Sequence, residues 1–139
     1  MRPFDFYLEL NEVKRVSKDP ELAKSLIRDM NERIAKSLKL NVKEFAKIVF
    51  ENLYDALREF SDALLALDGY KSYSHQASIA GLEEYNFSEE FITKLDMFRY
   101  KRNGSKYYGK EISQEDAKDI KDFYLRNAAK IDKIINDKF

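Results

Sequence analysis

The stretch NVKEFAKIVFENLYDALREFSDALLALDG, residues 41–69, decides the fold class of this chain. Asn41 is the predicted N-cap of a long helix, and Asp68-Gly69 is its predicted end, because glycine takes the left-handed conformation without strain. Apolar residues recur in between at the three- and four-residue spacing of a helix that buries one face. These residues are Val42, Phe45, Val49, Leu53, Leu57, Phe60, Leu64 and Leu67.

The same period extends towards the N-terminus, in a chain with only four glycines and two prolines. We predict a short first helix over about Asp5 to Val16. Asp19 is the predicted cap of a second helix, with Pro20 at its first position, where the missing N–H is not needed. The expected buried stripe of this second helix is Leu22, Leu26, Met30, Ile34 and Leu38.

Three further helices are predicted after Gly69. A short one covers about Ser74 to Glu84, and Ser88 caps the next. Ser113 and Asp116 resemble a capping box that begins the last helix. The predicted apolar stripe of that helix is Ile120, Phe123, Tyr124, Ile131, Ile134 and Ile135. The sequence therefore predicts one domain, residues 1–139, that folds as an all-α, antiparallel up-and-down bundle of four to five main helices.

An up-and-down order brings two loops to the same end of the bundle. One is the loop after the third helix, at Gly69 to Tyr73, and the other follows the fifth helix, at Gly104 to Ile112. If the helices alternate in this way, aromatic and basic side chains from both loops come close together. The residues concerned are Tyr70, Tyr73, His75, Arg102, Tyr107 and Tyr108.

Composition restricts the class of function. The 25 basic and 25 acidic residues cancel, so any contact with nucleic acid should be local. The absence of cysteine excludes disulfides and thiolate metal sites. With His75 as the single histidine, a Ser-His-Asp triad would need it as its base. No apolar run of about 18 residues and no apolar signal core are present, so we expect a soluble, cytoplasmic protein without metal or cofactor.

The segment FRYKRNGSKYYGK, residues 98–110, combines five basic side chains with four aromatic ones and no acid. The apolar stripe Phe91, Leu95, Phe98 of the fifth helix, continued by four residues, ends on Arg102. One reading is that Arg102 complements the helix dipole and pairs with a carboxylate such as that of Asp62. The other is that its planar donor fork binds a phosphate.

Arg102-Asn103 followed by Gly-Ser-Lys-Tyr-Tyr resembles the motif of HEPN domains, in which an arginine, a polar residue and a few variable residues precede a histidine. The long helix and turn at residues 41–78 are also similar to that family. The resemblance implies a four- to five-helix bundle that usually forms a homodimer, with the two arginine motifs facing each other in a shared cleft. Active members cut RNA without a metal, and others bind ligands or pair with a minimal nucleotidyltransferase.

The resemblance assigns phosphate binding to Arg102 and orientation of the site to Asn103. Tyr107 or Tyr108 stands where the family has histidine. A tyrosine with a pKa of about 10 is a poor base at pH 7, which favours binding over cleavage. The other candidate ligand-binding residues are Lys106, Tyr108, Tyr73, His75 and Asp62.

The leading hypothesis is a HEPN-like protein of a toxin–antitoxin type system that binds nucleotide or RNA phosphate in a cleft around Arg102. An alternative is a metal-independent endoribonuclease in which Tyr107 or His75 assists Arg102 and Asn103. A third reading is a non-catalytic partner of a minimal nucleotidyltransferase. The three hypotheses share the same fold and the same arginine.

Overall fold

The structure, a computed structural model, describes residues 1–139 and contains six helices and a two-stranded sheet. The helices are α1 Phe4–Glu9, α2 Pro20–Ser37, α3 Ala46–Asp68, α4 His75–Ala80, α5 Glu89–Tyr108 and α6 Gln114–Lys138. The strands are β1 Val13–Arg15 and β2 Tyr70–Ser72, and a 3₁₀ turn at Gly81–Tyr85 continues α4. The predicted all-α class, with a bundle of four long helices, is confirmed.

Helix α3 lies at the centre of the molecule, where it packs against α2, α4, α5, α6 and β2. Its apolar side chains Phe50, Leu53, Leu57 and Phe60 are all fully buried. They belong to one continuous cluster of 33 buried apolar residues. Burying each side chain of this size contributes roughly 1.5–3 kcal/mol, so α3 holds most of the core together.

Three of the predicted helix N-caps, at Asp19, Ser88 and Ser113, are present. The Asp19 carboxylate accepts a hydrogen bond from the Leu22 amide at 3.0 Å, and the Ser88 hydroxyl accepts one from the Phe91 amide at 3.1 Å. Ser113 forms both bonds of a capping box with residue 116 at the start of α6. Each cap satisfies amides that the helix leaves unpaired.

Two predicted helix details differ from the structure. Asn41 caps a separate turn by accepting from the amides of residues 43 and 44, and α3 itself begins at Ala46. The buried face of α2 is also rotated: Leu22 is 48% exposed, whereas Ala23 and Ile27 are buried. Met30 and Ile34 of the predicted stripe are buried as expected, and Leu26 and Leu38 are partly buried against the core.

The prediction of a first helix reaching Val16 is wrong. Helix α1 ends at Glu9, Asn11 takes a left-handed φ of 60°, and the chain continues as strand β1. Strand β1 pairs antiparallel with β2, with Val13 opposite Ser72. This pairing joins residues far apart in sequence, and it overrides the local preference of the segment for a helix. The spacing of apolar residues within the segment therefore did not indicate a strand.

The prediction that Gly104 begins a loop is also wrong. Helix α5 continues to Tyr108, and Gly109, with φ of 66°, ends it. The aliphatic part of the Lys110 side chain packs over Gly104, with Cδ 3.4 Å from the position that a Cβ would occupy there. The whole basic and aromatic segment is therefore helical up to Tyr108, and its side chains point to different sides of α5.

No helix is both long enough and apolar enough to cross a membrane.

Gly69 offers a test of how the end of α3 meets β1. Its φ is 83°, and a Cβ there would lie 2.7 Å from the Val16 carbonyl oxygen. We expect Gly69→Ala to lower the free energy of unfolding by about 2–4 kcal/mol, because backbone strain and a steric clash add together. Urea denaturation measures this change.

Gly109→Ala is the matched control, since Gly109 also has a left-handed φ but no atom within 4 Å of a built Cβ. We expect it to cost only about 1 kcal/mol. Equal losses in the two variants would show that the contact with Val16 is unimportant.

Candidate functional site

The apolar stripe of α5 ends in a buried arginine, as the spacing predicted. Phe91, Leu95 and Phe98 face the core, and Arg102 on the same face is only 8% exposed. Its guanidinium carbon lies 5.5 Å from the centroid of the Tyr54 ring on α3. A cation over an aromatic face at this distance is an attractive arrangement.

The ion pair of Arg102 is incomplete. Its Nη2 lies 3.4 Å from Asp55 Oδ1, but neither that oxygen nor the buried Nε of Arg102 makes a hydrogen bond within the chain. Guanidinium nitrogens and carboxylate oxygens without hydrogen bonds are costly to bury. Arg102 therefore keeps donor capacity that Asp55 does not use.

The predicted pairing of Asp62 with Arg102 is not found. Asp62 accepts a hydrogen bond from the Ser78 hydroxyl at 2.6 Å and lies 3.4 Å from Nη1 of Arg58. Burial raises the pKa of Asp62, while the Ser78 hydrogen bond and the Arg58 charge act in the opposite direction. Asp55 lies about two turns before Asp62 on α3, and α5 crosses α3 at the level of Asp55.

His75 is the predicted residue that does lie beside Arg102. It begins α4, and its Nδ1 is 3.1 Å from the Tyr54 hydroxyl in a hydrogen bond whose donor depends on the histidine tautomer. Burial, together with the charges of Arg58 and Arg102, lowers the pKa of His75 to about 4. Burial raises the pKa of Tyr54. Both groups are therefore neutral at pH 7.

We call the group formed by these contacts the arginine cluster. Its members are Tyr54, Arg58, His75, Arg99 and Arg102. All three arginines act electrostatically on both Tyr54 and His75. Each arginine also has one aspartate, but the contacts differ: Arg99 Nε is 2.6 Å from Asp96, whereas the other two ion pairs measure 3.4 Å. The cluster therefore holds two loosely paired guanidinium groups.

The other residues of the motif do not lie beside Arg102, although Arg99 of the arginine cluster shares a groove with two of them. Asn103 and Tyr108 line a groove of about 840 Å³ between α5 and the start of α6, together with Lys110 and Ile112. Tyr107 is 66% exposed, and Lys106 is also exposed. The groove does not include Arg102. The structure thus separates the candidates that the motif groups together.

Tyr70 and Tyr73 do not join Arg102, in contrast to the prediction from loop positions. The Tyr70 ring packs edge-on against Phe4, and its hydroxyl accepts a hydrogen bond from Arg15. Tyr73 lies on the sheet beside Lys14. The reason is that α5 packs against the first half of α3 and does not reach its end at Gly69. The contact between Phe98 and residue 50 shows this position.

Sequence reasoning missed the roles of Tyr54, Asp55 and Arg99. A signal was available for Tyr54, because Tyr54, Arg58 and Asp62 follow one another at four-residue spacing and so share one face of α3. A polar row beside the buried apolar face of a helix predicts a polar partner facing it. Which member meets Arg102 depends on the crossing of α3 and α5, and the sequence does not determine that.

No group of three or more His, Cys, Asp or Glu side chains is placed to hold a metal ion. No protein-family model, curated protein or solved structure matches this chain.

The low pKa of His75 predicts how stability varies with pH. The unfolded chain binds a proton at His75 near its ordinary pKa of 6.5, and the folded protein does so only near 4. Stability should therefore fall as the pH drops through this range. His75→Gln should lack this part of the decline, and urea denaturation of both proteins from about pH 7 to 4 measures the difference.

Because His75 is the only histidine, its imidazole signals in an NMR titration are unambiguous. We expect no protonation shift between about pH 8 and 5.5. A midpoint near 6.5 would contradict the burial described here. The raised pKa values of Glu59 and Asp62 favour the folded state as the pH falls, which is the opposite effect. Because the wild type and the His75→Gln variant both contain these two acids, their effect cancels in the comparison.

Proposed function

We propose that this protein is a HEPN-like domain that binds the phosphate of RNA or of a nucleotide at the arginine cluster. The observation that carries the proposal is the buried Arg102, whose Nε has no acceptor and whose only carboxylate, Asp55, is 3.4 Å away without a hydrogen bond. A phosphate offers several acceptor oxygens in the geometry of a guanidinium fork. A bound phosphate would supply the hydrogen-bond acceptors that Arg102 lacks within the protein.

The neighbouring residues support a phosphate ligand. Arg58, whose buried Nε also lacks an acceptor, provides a second guanidinium in the cluster. His75 is neutral and can donate or accept one hydrogen bond without adding charge. Asp55 is then a competitor of the ligand, because its carboxylate occupies the side of Arg102 that a phosphate would use.

Metal-independent RNA cleavage is the second candidate, and the position of His75 favours it. In that reaction the ribose 2′-hydroxyl attacks the adjacent phosphorus, the 5′-oxygen leaves, and the proton moves from the first oxygen to the second. His75 lies within the arginine cluster, whereas Tyr107 is exposed on another side of α5. A pKa of about 4 makes His75 a weak base at pH 7, so binding remains the leading proposal.

The exposed side of α5 supports a homodimer, although one in which the two Arg102 side chains point away from the interface and not into the shared cleft that the resemblance implies. Met97, Tyr100, Tyr107 and Tyr108 are each more than half exposed and follow one another along one side of the helix, opposite Arg102. Aromatic residues and methionine are enriched at protein interfaces. The same surface could be covered by a minimal nucleotidyltransferase, and the molar mass in solution, alone and with such a partner, distinguishes the two arrangements.

Paired substitutions test the phosphate site. Arg102→Gln should weaken binding of labelled RNA about 10- to 100-fold, because charged hydrogen bonds to the ligand are lost. Asp55→Asn should tighten binding several-fold, since it removes the competing charge, although it should lower the free energy of unfolding by about 1–2 kcal/mol. Fluorescence anisotropy in EDTA measures affinity, and gel analysis of the same samples detects cleavage.

Arg126→Gln is the matched control, because Arg126 is an exposed arginine near the start of α5. Cleavage by the wild type that disappears in both Arg102→Gln and His75→Gln would establish the second candidate. Wild-type protein that neither binds nor cuts RNA, or Arg102→Gln that behaves like Arg126→Gln, would contradict the proposal.

A further inference from the structure

The sheet presents a second basic surface that the arginine cluster does not include. Strands β1 and β2 place Lys14 directly opposite Lys71. Directly opposed residues in an antiparallel pair point to the same face, so two ammonium groups share the outer face of the sheet. Like charges in this position are destabilising, and the sequence pairs them nonetheless.

Tyr73 completes this surface. It follows β2, two residues after Lys71, and therefore lies on the same face. The Nζ atoms of Lys14 and Lys71 are each 5.3 Å from the centroid of its ring. Tyr73 is 56% exposed, so part of its side chain is accessible to a ligand.

The cations near the sheet lack carboxylate partners. Four basic residues lie on or beside the two strands: Lys14, Arg15, Lys18 and Lys71. None of them forms a salt bridge, whereas Arg99, Lys101 and Arg102 of α5 all do. Two acids lie close by in the chain and form no salt bridge either: Glu12 accepts a hydrogen bond from Ser74, and Asp19 caps α2. Lys14 and Lys71 therefore share the outer face of the sheet without an ion pair.

We infer that the surface formed by Lys14, Lys71 and Tyr73, the sheet surface, binds single-stranded RNA that extends from the arginine cluster. A base stacks on the exposed part of the Tyr73 ring, and the two lysines contact the flanking phosphates. Aromatic rings interleaved with cations are the usual means of holding a single strand without reading its sequence. This inference rests on the proposed function, because it takes RNA as the ligand.

The position of the sheet surface supports one continuous strand. Tyr73 precedes His75 by two residues, so their Cα atoms are at most about 7 Å apart. His75 is hydrogen-bonded to Tyr54 in the arginine cluster. A short ligand can therefore occupy the cluster alone, whereas a longer one reaches the sheet surface.

Two probes of different length separate these contacts. One is a labelled decamer of 2′-O-methyl adenosine, which lacks the free hydroxyl needed for cleavage, and the other is the corresponding dinucleotide. Lys14→Gln/Lys71→Gln and Tyr73→Ser should leave dinucleotide binding within about twofold of wild type. The double lysine variant should reduce the magnitude of the salt slope for the decamer by about 1.4, or 0.7 for each lost phosphate contact.

Tyr73→Ser should weaken decamer binding about 5- to 100-fold, the range for losing one stacked base. Lys39→Gln is the control variant, because it removes the charge of an exposed lysine far from the sheet. Lys39 follows the C-terminal end of α2, and the length of that helix places it about 27 Å from Asp19. The thermal midpoint of each variant, within about 2 °C of wild type, shows that the fold is retained.

The outcomes distinguish this inference from the proposed function. Decamer binding that is lost in Arg102→Gln but unchanged in the sheet variants overturns the sheet surface and leaves the proposed function standing. Decamer binding that is lost in the sheet variants but unchanged in Arg102→Gln supports the sheet surface and contradicts the phosphate site. Wild-type protein that binds neither probe overturns both.

A polyanion without bases tests the role of the ring. Heparin should compete with the decamer, but its own binding should be unaffected by Tyr73→Ser. Equal loss of heparin and RNA binding in that variant would mean that Tyr73 only positions the lysines, and stacking would be overturned.

Discussion

Helix α3 is enclosed by other elements along most of its length, so the polar side chains on its inner faces need partners inside the protein. Tyr54, Asp55, Arg58 and Asp62 meet this demand in a row that faces α4 and α5. Groups from three other positions, His75, Ser78 and Arg102, complete the row. The candidate site is thus a consequence of placing polar residues on the helix that forms the core.

The charges in this row are balanced without being tightly paired. Each arginine of the cluster has one aspartate, but only the Arg99 contact is short. Two guanidinium groups therefore remain near neutral His75 and Tyr54 with donors to spare. A buried pair with poor geometry contributes little to stability, so these contacts add little to the free energy of folding.

The sequence predicted what local spacing controls. The caps at Asp19, Ser88 and Ser113 and the stripe that ends on Arg102 all depend on residues within one or two turns. The sheet depends on pairing between residues about sixty positions apart, and no local pattern indicates it. The partner of Arg102 depends on where two helices cross, which is set by the packing of many side chains together.

The N-terminal segment is joined to the protein by contacts that are distant in sequence. The Phe4 amide donates a hydrogen bond to the carboxylate of Glu83, and β1 pairs with β2. During synthesis, the first fifteen residues leave the ribosome long before these partners do. The helical hairpin of α2 and α3 can form before those partners emerge, whereas α1 and β1 reach their final contacts only after Glu83 has been made.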